Sequence, residues 1–361
     1  MRWALELARR AEGYTSPNPM VGCVIVTEDG SVVGEGWHHK AGEAHAEVNA
    51  LAAMRESGMQ GHTAYVTLEP CSHYGRTGPC CEALLRAGIK RVVAAMEDPN
   101  PKVAGKGFAR LRKAGVEVEV GLCGKEAAAL NEKFCLWITR QRPFVSLKFA
   151  ETLDGKIATA TGDSFYVTGQ EAHQYSHYLR KTHDAILVGI GTVLEDDPEL
   201  TTRLVAGKNP LRIVLDSRAR IPLTAKVLHG EAKTLLATGA QADPDKLRKL
   251  AAMANVETLI LPCEDGNLSL PSLMTALAER NITSVLVEGG SRVTGSFLDA
   301  ALADRVYAFI APKLVGGNAA LPAIGGRGIR TMGACARVLE PELKRMGEDW
   351  LITGKVRFAT E

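Results

Sequence analysis

Three short segments constrain this chain more than anything else in it: His45-Ala46-Glu47, Pro70-Cys71 and Pro79-Cys80. An imidazole and two thiolates fill three corners of a zinc tetrahedron and leave the fourth for water. For His45, Cys71 and Cys80 to act together, three separate segments must converge on one point. Glu47, two residues after the His, need not bind metal and is free to carry protons. The pattern H-x-E…P-C-x-x-C marks zinc deaminases, in which the metal activates water and the Glu is the acid/base. Here the spacing is stretched, because eight residues (72–79) separate Cys71 from Cys80.

The surrounding pattern predicts an α/β fold. A helix is expected over 1–12, then strands over 21–26 and 31–37 around an Asp29-Gly30 turn. His45 opens a helix that Gly58 ends, and a strand over 63–68 delivers Cys71 just beyond its end. Cys80 begins another helix, stopped by Gly88. Helix N-termini favour thiolate over thiol, which suits ligands at those positions. Two proline-clamped loops, Ser16-Pro17-Asn18-Pro19 and Asp98-Pro99-Asn100-Pro101, follow a helix and a strand. Asn18, Asp98 and Asn100 are therefore candidates for substrate contacts, with plain turn formation as the bland alternative. A structural zinc knot needs a fourth protein ligand, for which His73 and Cys81 are available. In a catalytic site His73 and Arg76 instead face the substrate, and Arg76 suits a phosphate.

At 361 residues two domains are expected, 1–143 and 144–361, joined near Arg140-Gln141-Arg142-Pro143. A net charge of +2 gives no reason to propose nucleic acid or membrane as partner. No apolar run approaches the roughly 18 residues of a membrane span, and the first residues read as an amphipathic helix rather than a signal peptide. A cytoplasmic protein is expected. Eight cysteines in so long a chain point to reduced thiols. Cys23, Cys123, Cys135, Cys263 and Cys335 are expected as buried small hydrophobes.

The second half starts a new α/β pattern, with strands at 144–150, 185–192, 211–216 and 284–288, and one helix expected before it over 124–139. The stretch 241–271 reads as an α/β connection, and 327–361 as a helix with closing strands. Gly289-Gly290 lets backbone N–H groups approach an anion at a helix start, though a plain tight turn reads equally well. Ser217, Arg218 and Arg220 follow a strand and suit a 2′-phosphate better than a diol, with a solvated basic loop as the alternative.

The run 68–80, together with Asn18-Pro19-Met20-Val21-Gly22, Ala44-His45-Ala46-Glu47 and Asp98-Pro99-Asn100-Pro101, closely resembles the bifunctional riboflavin-biosynthesis deaminase/reductase family. The long interval between the cysteines separates that family from cytidine and tRNA deaminases. One small departure is Gly78, where proline often stands. The resemblance implies a cytidine-deaminase-like three-layer α/β/α domain followed by a dihydrofolate-reductase-like α/β domain. It implies zinc-dependent deamination of 2,5-diamino-6-(5-phosphoribosylamino)pyrimidin-4-one, then NADPH-dependent reduction of the ribosyl group to ribityl. Carried onto this sequence, Ala150, Tyr166, Thr192, Asp196, Ser217 and the stretch Gly290, Ser291, Arg292, Val293, Thr294, Gly295, Ser296 are expected cofactor contacts. Ser164, Arg180, Leu200, Arg203 and Glu288 are expected substrate contacts. Arg180 and Arg203 form the obvious pair for the ribose phosphate. Lys148 and Glu288 are placed beside the reacting carbon as proton donor and cation stabiliser, while Asp154 and Lys156 shape a loop. The family also implies a homo-oligomer formed through the reductase half. Two rivals stay open: a nucleobase deaminase fused to an unrelated reductase, and a non-catalytic zinc-stabilised binding protein.

Overall fold

A computed structural model describes residues 1–74, 78–165 and 167–359. The chain divides into two compact units, Met1–Arg142 and Pro143–Glu361.

The first unit opens with α1 (Arg2–Arg9), β1 (Gly22–Val26), β2 (Val32–Trp37) and α2 (Ala46–Ser57). It continues with β3 (Thr63–Val66), α3 (Cys80–Arg86), β4 (Arg91–Ala94), α4 (Lys106–Lys113) and β5 (Glu117–Val120), and closes with α5 (Gly124–Leu130) and α6 (Glu132–Arg140). The five strands form one sheet in the order β2-β1-β3-β4-β5, with β3, β4 and β5 parallel. One face carries Ile25, Leu51, Met54, Leu84, Val92 and Leu111, packed under α2, α3 and α4. Ala4 and Leu7 of α1 pack with Val24 on the other face, and Leu5 packs with Ala127 of α5. Glycine makes the close approach possible. A Cβ at Gly36 would lie 2.3 Å from the Ala50 nitrogen of α2, so no side chain fits there. The expected single helix over 124–139 is two, broken at Asn131. Asn131 is buried, and its amide bridges Met20 by taking its N–H at 2.8 Å and donating to its carbonyl at 2.9 Å.

The second unit begins with β6 (Phe144–Thr152), short β7 (Lys156–Ala158), α7 (Gln170–Thr182), β8 (Ala185–Gly189) and α8 (Ile190–Asp196). There follow β9 (Leu211–Leu215), β10 (Thr234–Gly239), α9 (Pro244–Ala251), β11 (Val256–Leu261) and the small hairpin β12 (Cys263–Glu264) and β13 (Asn267–Leu268). It ends with α10 (Leu270–Glu279), β14 (Ser284–Val287), α11 (Ser291–Asp299), β15 (Arg305–Ala311), β16 (Leu321–Pro322), β17 (Arg337–Met346) and β18 (Asp349–Arg357). Nine strands form a sheet in the order β11-β10-β9-β8-β14-β6-β15-β18-β17. From β11 to β15 every neighbouring pair is parallel, and β18 and β17 close the sheet antiparallel. Continuous apolar strands such as Ala185–Gly189, buried at every position, follow from helices covering both faces. The sheet therefore presents its carboxyl ends along one edge, where open α/β folds bind ligands.

Several expectations are corrected. Ile190, Gly191 and Thr192 do not extend β8 but start α8, because Gly189 in extended conformation turns the chain as the helix N-cap. Over 327–359 there is a single 3₁₀ turn, Met332–Ala334, before the closing strands, rather than a longer helix. Of the five non-ligand cysteines expected to be buried, only Cys23 is; Cys263 is exposed in its hairpin and the others are half-buried. No described helix is long and apolar enough to cross a membrane.

Candidate active site

His45 is the N-cap of α2 in extended conformation, so its side chain leaves the helix at the N-terminal end, with Glu47 in the first turn. Cys71 lies beyond β3, and Cys80 opens α3. The His45 Nδ1 lies 3.3 Å from Cys80 Sγ and 3.7 Å from Cys71 Sγ. All three ligand atoms fall within 4.8 Å of one another. A tetrahedral zinc ion with bonds of about 2.05 Å to nitrogen and 2.3 Å to sulfur would separate those atoms by about 3.6 Å. The donor set and its spacing thus fit zinc. The two possible fourth ligands stay outside: Cys81 Sγ donates to the Pro70 carbonyl at 3.1 Å, and His73 is exposed.

Electrostatics at this corner follow from burial and the shared sulfur contacts. The Cys80 thiol and the His45 ring both hydrogen-bond Cys71, as does the Cys80 backbone N–H at 3.3 Å, and they pull the Cys71 thiol down to about 4. The same bond, with burial, pushes Cys80 upward. Glu47 is 3 % exposed, and burial followed by the Cys71 charge raises its carboxyl to about 7.

Asn18 is half-buried and its Nδ2 lies 3.1 Å from Nε2 of His38. The His38 Nδ1 must donate, because its partner is the Ala44 carbonyl at 3.0 Å. Burial lowers the His38 pKa, which favours the neutral ring, and with Nδ1 donating, Nε2 is the nitrogen open to accept from Asn18. The amide of Asn18 is thereby locked, nitrogen toward His38 and oxygen the other way. His38 also meets the His45 ring edge-on at 5.5 Å. Neither His38 nor Asn131 is singled out by sequence, since each acts through a contact made only after folding. Asp98 Oδ1 accepts the Asn100 N–H at 2.9 Å, and burial raises the Asp98 pKa. Arg76 lies outside the described residues.

The second unit gathers a different set. Glu288, just past β14, accepts both arms of the Arg180 guanidinium at 2.8 Å each and lies 3.9 Å from Lys148 Nζ. Burial opposes its ionisation, but Arg180 outweighs that by charge and hydrogen bonds, Lys148 adds to it, and the carboxyl is held at about 2. Burial lowers the Lys148 pKa while Glu288 resists the change. The expected Arg180–Arg203 pair is therefore unequal: the Arg180 fork is already filled, whereas Arg203 is exposed and pairs loosely with Glu199 at 3.4 Å. Arg180 also donates to the Thr201 carbonyl, and His177 Nδ1 accepts the Arg203 N–H at 3.1 Å. His177 is a residue the sequence does not single out; burial, followed by the charges of Arg180 and Arg203, holds it at about 4. Leu200 is buried in the same loop with φ 56°.

Ala150 on β6 lies just beyond the Leu147–Val287 pair, level with the Gly289-Gly290 turn. A Cβ at Gly289 would sit 2.6 Å from the Val188 Cα, so only glycine lets the ends of β14 and β8 meet. Gly290 (φ 41°) is the N-cap of α11, and a Cβ there would reach within 3.5 Å of Thr192 Oγ1. The N–H groups of Ser291, Arg292 and Val293 precede the first intrahelical bond, from Thr294 to Gly290. Thr294 and Ser296 turn their hydroxyls onto carbonyls of their own helix, and a Cβ on Gly295 would strike Gly325. Asp196 is exposed one turn beyond Thr192, Ser217 follows β9, and Ser164 lies half-buried before α7. Arg220 leans on buried Asp216 at 3.7 Å. Tyr166 lies outside the described residues.

A His–Cys–Cys site with a buried acid at a helix start in one unit, and a clamped acid–base group at the strand ends of the other, define a zinc deaminase joined to a reductase. Residues 1–96 match the family profile of the cytidine and deoxycytidylate deaminase zinc-binding region, and 143–352 match that of the RibD C-terminal domain. The riboflavin biosynthesis protein RibD of Aquifex aeolicus is 47% identical over 98% of this chain and 96% of its own length. The Escherichia coli RibD is 44% identical, covering 88% of each. Solved structures of Acinetobacter baumannii RibD (TM-score 0.87, 38% identity, 99% of this chain and 97% of that one) and of a Thermotoga maritima deaminase/reductase (0.86, 37%, 99% and 97%) share the fold. The chain belongs to the RibD family of riboflavin biosynthesis proteins.

Proposed function

We propose that residues 1–143 deaminate 2,5-diamino-6-(5-phosphoribosylamino)pyrimidin-4-one and that residues 144–361 reduce the ribosyl group of the product with NADPH. The observation that carries the reading is the zinc-spaced triad His45, Cys71 and Cys80 with Glu47 buried in the turn beside it. His45, Cys71 and Cys80 would hold a zinc ion, which would supply Lewis acidity and water activated at neutral pH. Glu47 then works as the proton carrier in two transfers: it takes a proton from the attacking water and gives it to a ring nitrogen, then takes the proton of the new hydroxyl and gives it to the amine, which departs as ammonia. Asn18, oriented by His38, reads the pyrimidine edge; Asp98 and Asn100 contact it from the second proline-clamped loop, His73 is a further substrate contact, and Arg76 suits the phosphate by its chemistry.

In the reductase half, the open N–H groups after Gly290 suit a dinucleotide phosphate, with Ala150, Thr192, Asp196 and Ser217 along the same strand ends. NADPH supplies the hydride when bound. Lys148 delivers a proton to the opening ribose, Glu288 stabilises the developing cation, and Arg180 holds Glu288 in place. Arg203 takes the substrate phosphate, with Ser164 and Leu200 lining the approach. The long strand β17 pairs on one side with β18 and leaves Leu343 62% and Val338 41% exposed, which supports self-association through this half. Eight free cysteines support a reducing, cytoplasmic setting.

The test is sequential. Purified protein should release ammonia from the diaminopyrimidine only with zinc present, and then oxidise NADPH. Full-rate ammonia release after complete removal of divalent ions would reject the mechanism, and ammonia release from cytidine or tRNA instead would favour a general nucleobase deaminase.

A further inference from the structure

Glu69 stands directly before Pro70-Cys71 and is 6 % exposed. Burying a carboxylate is costly unless its oxygens find donors, and here backbone amides provide them. Oε1 accepts N–H groups from Gly107 at 2.7 Å and Phe108 at 3.3 Å, in the first turn of α4, where the helix dipole favours negative charge. Oε2 accepts from Asp98 at 3.1 Å and Gly105 at 2.9 Å. One oxygen thus closes the loop 98–105 at both ends. The packing around it leaves no slack: a Cβ on Gly107 would lie 2.1 Å from the Pro70 carbonyl and 3.0 Å from Glu69 Oε1. Cys81 ties the third side, donating to the Pro70 carbonyl at 3.1 Å and lying 3.6 Å from that of Gly107. Inside the loop, Asp98 Oδ1 holds the Asn100 N–H and Asn100 Oδ1 holds the Lys102 N–H at 3.0 Å, so fixing Asp98 fixes both polar residues.

We infer that Glu69 is a positioning residue for deamination: through the loop 98–105 it sets Asp98 and Asn100 against the pyrimidine at the His45–Cys71–Cys80 centre. The inference rests on reading Asp98 and Asn100 as substrate contacts. Both come from one carboxylate whose neighbour in sequence leads into a metal ligand, so substrate loop and metal corner keep a common reference.

The experiment compares Glu69→Gln, Asp98→Ala and the double variant in the full chain. An amide nitrogen at Glu69 would face backbone donors, so Glu69→Gln should raise KM for the diaminopyrimidine by about tenfold, the scale of one lost charged hydrogen bond. It should lower kcat less, keep one zinc per chain and leave reduction of supplied deaminated substrate unchanged. Added to Asp98→Ala, it should raise KM little further, because both act through one loop. Fully additive effects, or lost zinc with an unchanged KM, would overturn the inference. An Asp98→Ala variant with normal KM would remove the substrate assignment and the inference with it; a raised KM there beside a normal KM in Glu69→Gln would remove the inference alone. Should Glu69→Gln fail to fold, Gly105→Ala strains the same loop end at φ 74° and should raise KM in the same direction; an unchanged KM there would count against the loop's role.

Discussion

The two sites solve the problem of buried charge in opposite ways. In the first unit the His45 imidazole, a low-titrating Cys71 thiol and the raised Glu47 carboxyl are gathered at one corner, an arrangement that suits a cation. In the second, the Glu288 charge is already met by protein groups, Arg180 and Lys148. The contrast teaches which site depends on what is bound and which depends on its own ion pairs. Loss of metal should cripple the first without unfolding the second, whereas loss of one guanidinium should loosen the second directly.

The sharpest break between the two is Glu47→Gln, which should lower ammonia release by about 10²- to 10⁴-fold, the usual share of a general acid–base group. Zinc content by mass spectrometry and reduction of the deaminated substrate should both stay at wild-type levels; lost reduction in a folded protein would contradict independent sites. Next comes Arg180→Ala. It leaves Glu288 buried with only Lys148, 3.9 Å away, to offset its charge, at a cost of up to about 3–5 kcal/mol to the second unit, visible as a lowered melting transition with deamination retained.

Acid sharpens the same point. Glu288 sits at about 2 against an ordinary 4.5, so its contribution to stability is complete above pH 4.5 and disappears as pH falls toward 2. That contribution is on the order of 3 kcal/mol at most. Wild type should therefore lose more stability between pH 5 and 3 than Glu288→Gln does; parallel acid curves would refute the assignment. A smaller effect is expected from Arg203→Ala, about a tenfold rise in KM for the phosphorylated substrate with KM for NADPH unchanged. The reverse split would exchange the two ligands. Smallest of all, Arg218→Ala should narrow the preference for NADPH over NADH by only a few-fold, since its side chain is exposed and a surface charge contributes little.

The same contrast explains what could be read in advance. His45, Cys71 and Cys80 lie within one stretch of chain, and their spacing carries the chemistry of the metal, so the first site was legible before folding. The alternating apolar strands and helix starts made both α/β units legible too. His38 escaped because its role is a hydrogen bond to Asn18, 20 residues back, and no spacing rule encodes it. The pairing of Arg180 with Glu288 escaped as well, because Glu288 lies 108 residues away and reaches it only where β14 slots in beside β8. The extra strand length expected through Thr192 failed for a local reason, since continuous apolarity does not distinguish a buried strand end from the first turn of a helix.

Asn131 has a practical bearing on where the first catalytic half can be cut. The match to the zinc-binding region ends at residue 96, yet Asn131 grips Met20 beside the loop that carries Asn18. A fragment trimmed to that region would still own every metal ligand but would have lost the peg that steadies its reading arm. Dissection of this enzyme should accordingly keep everything up to the second of its paired C-terminal helices.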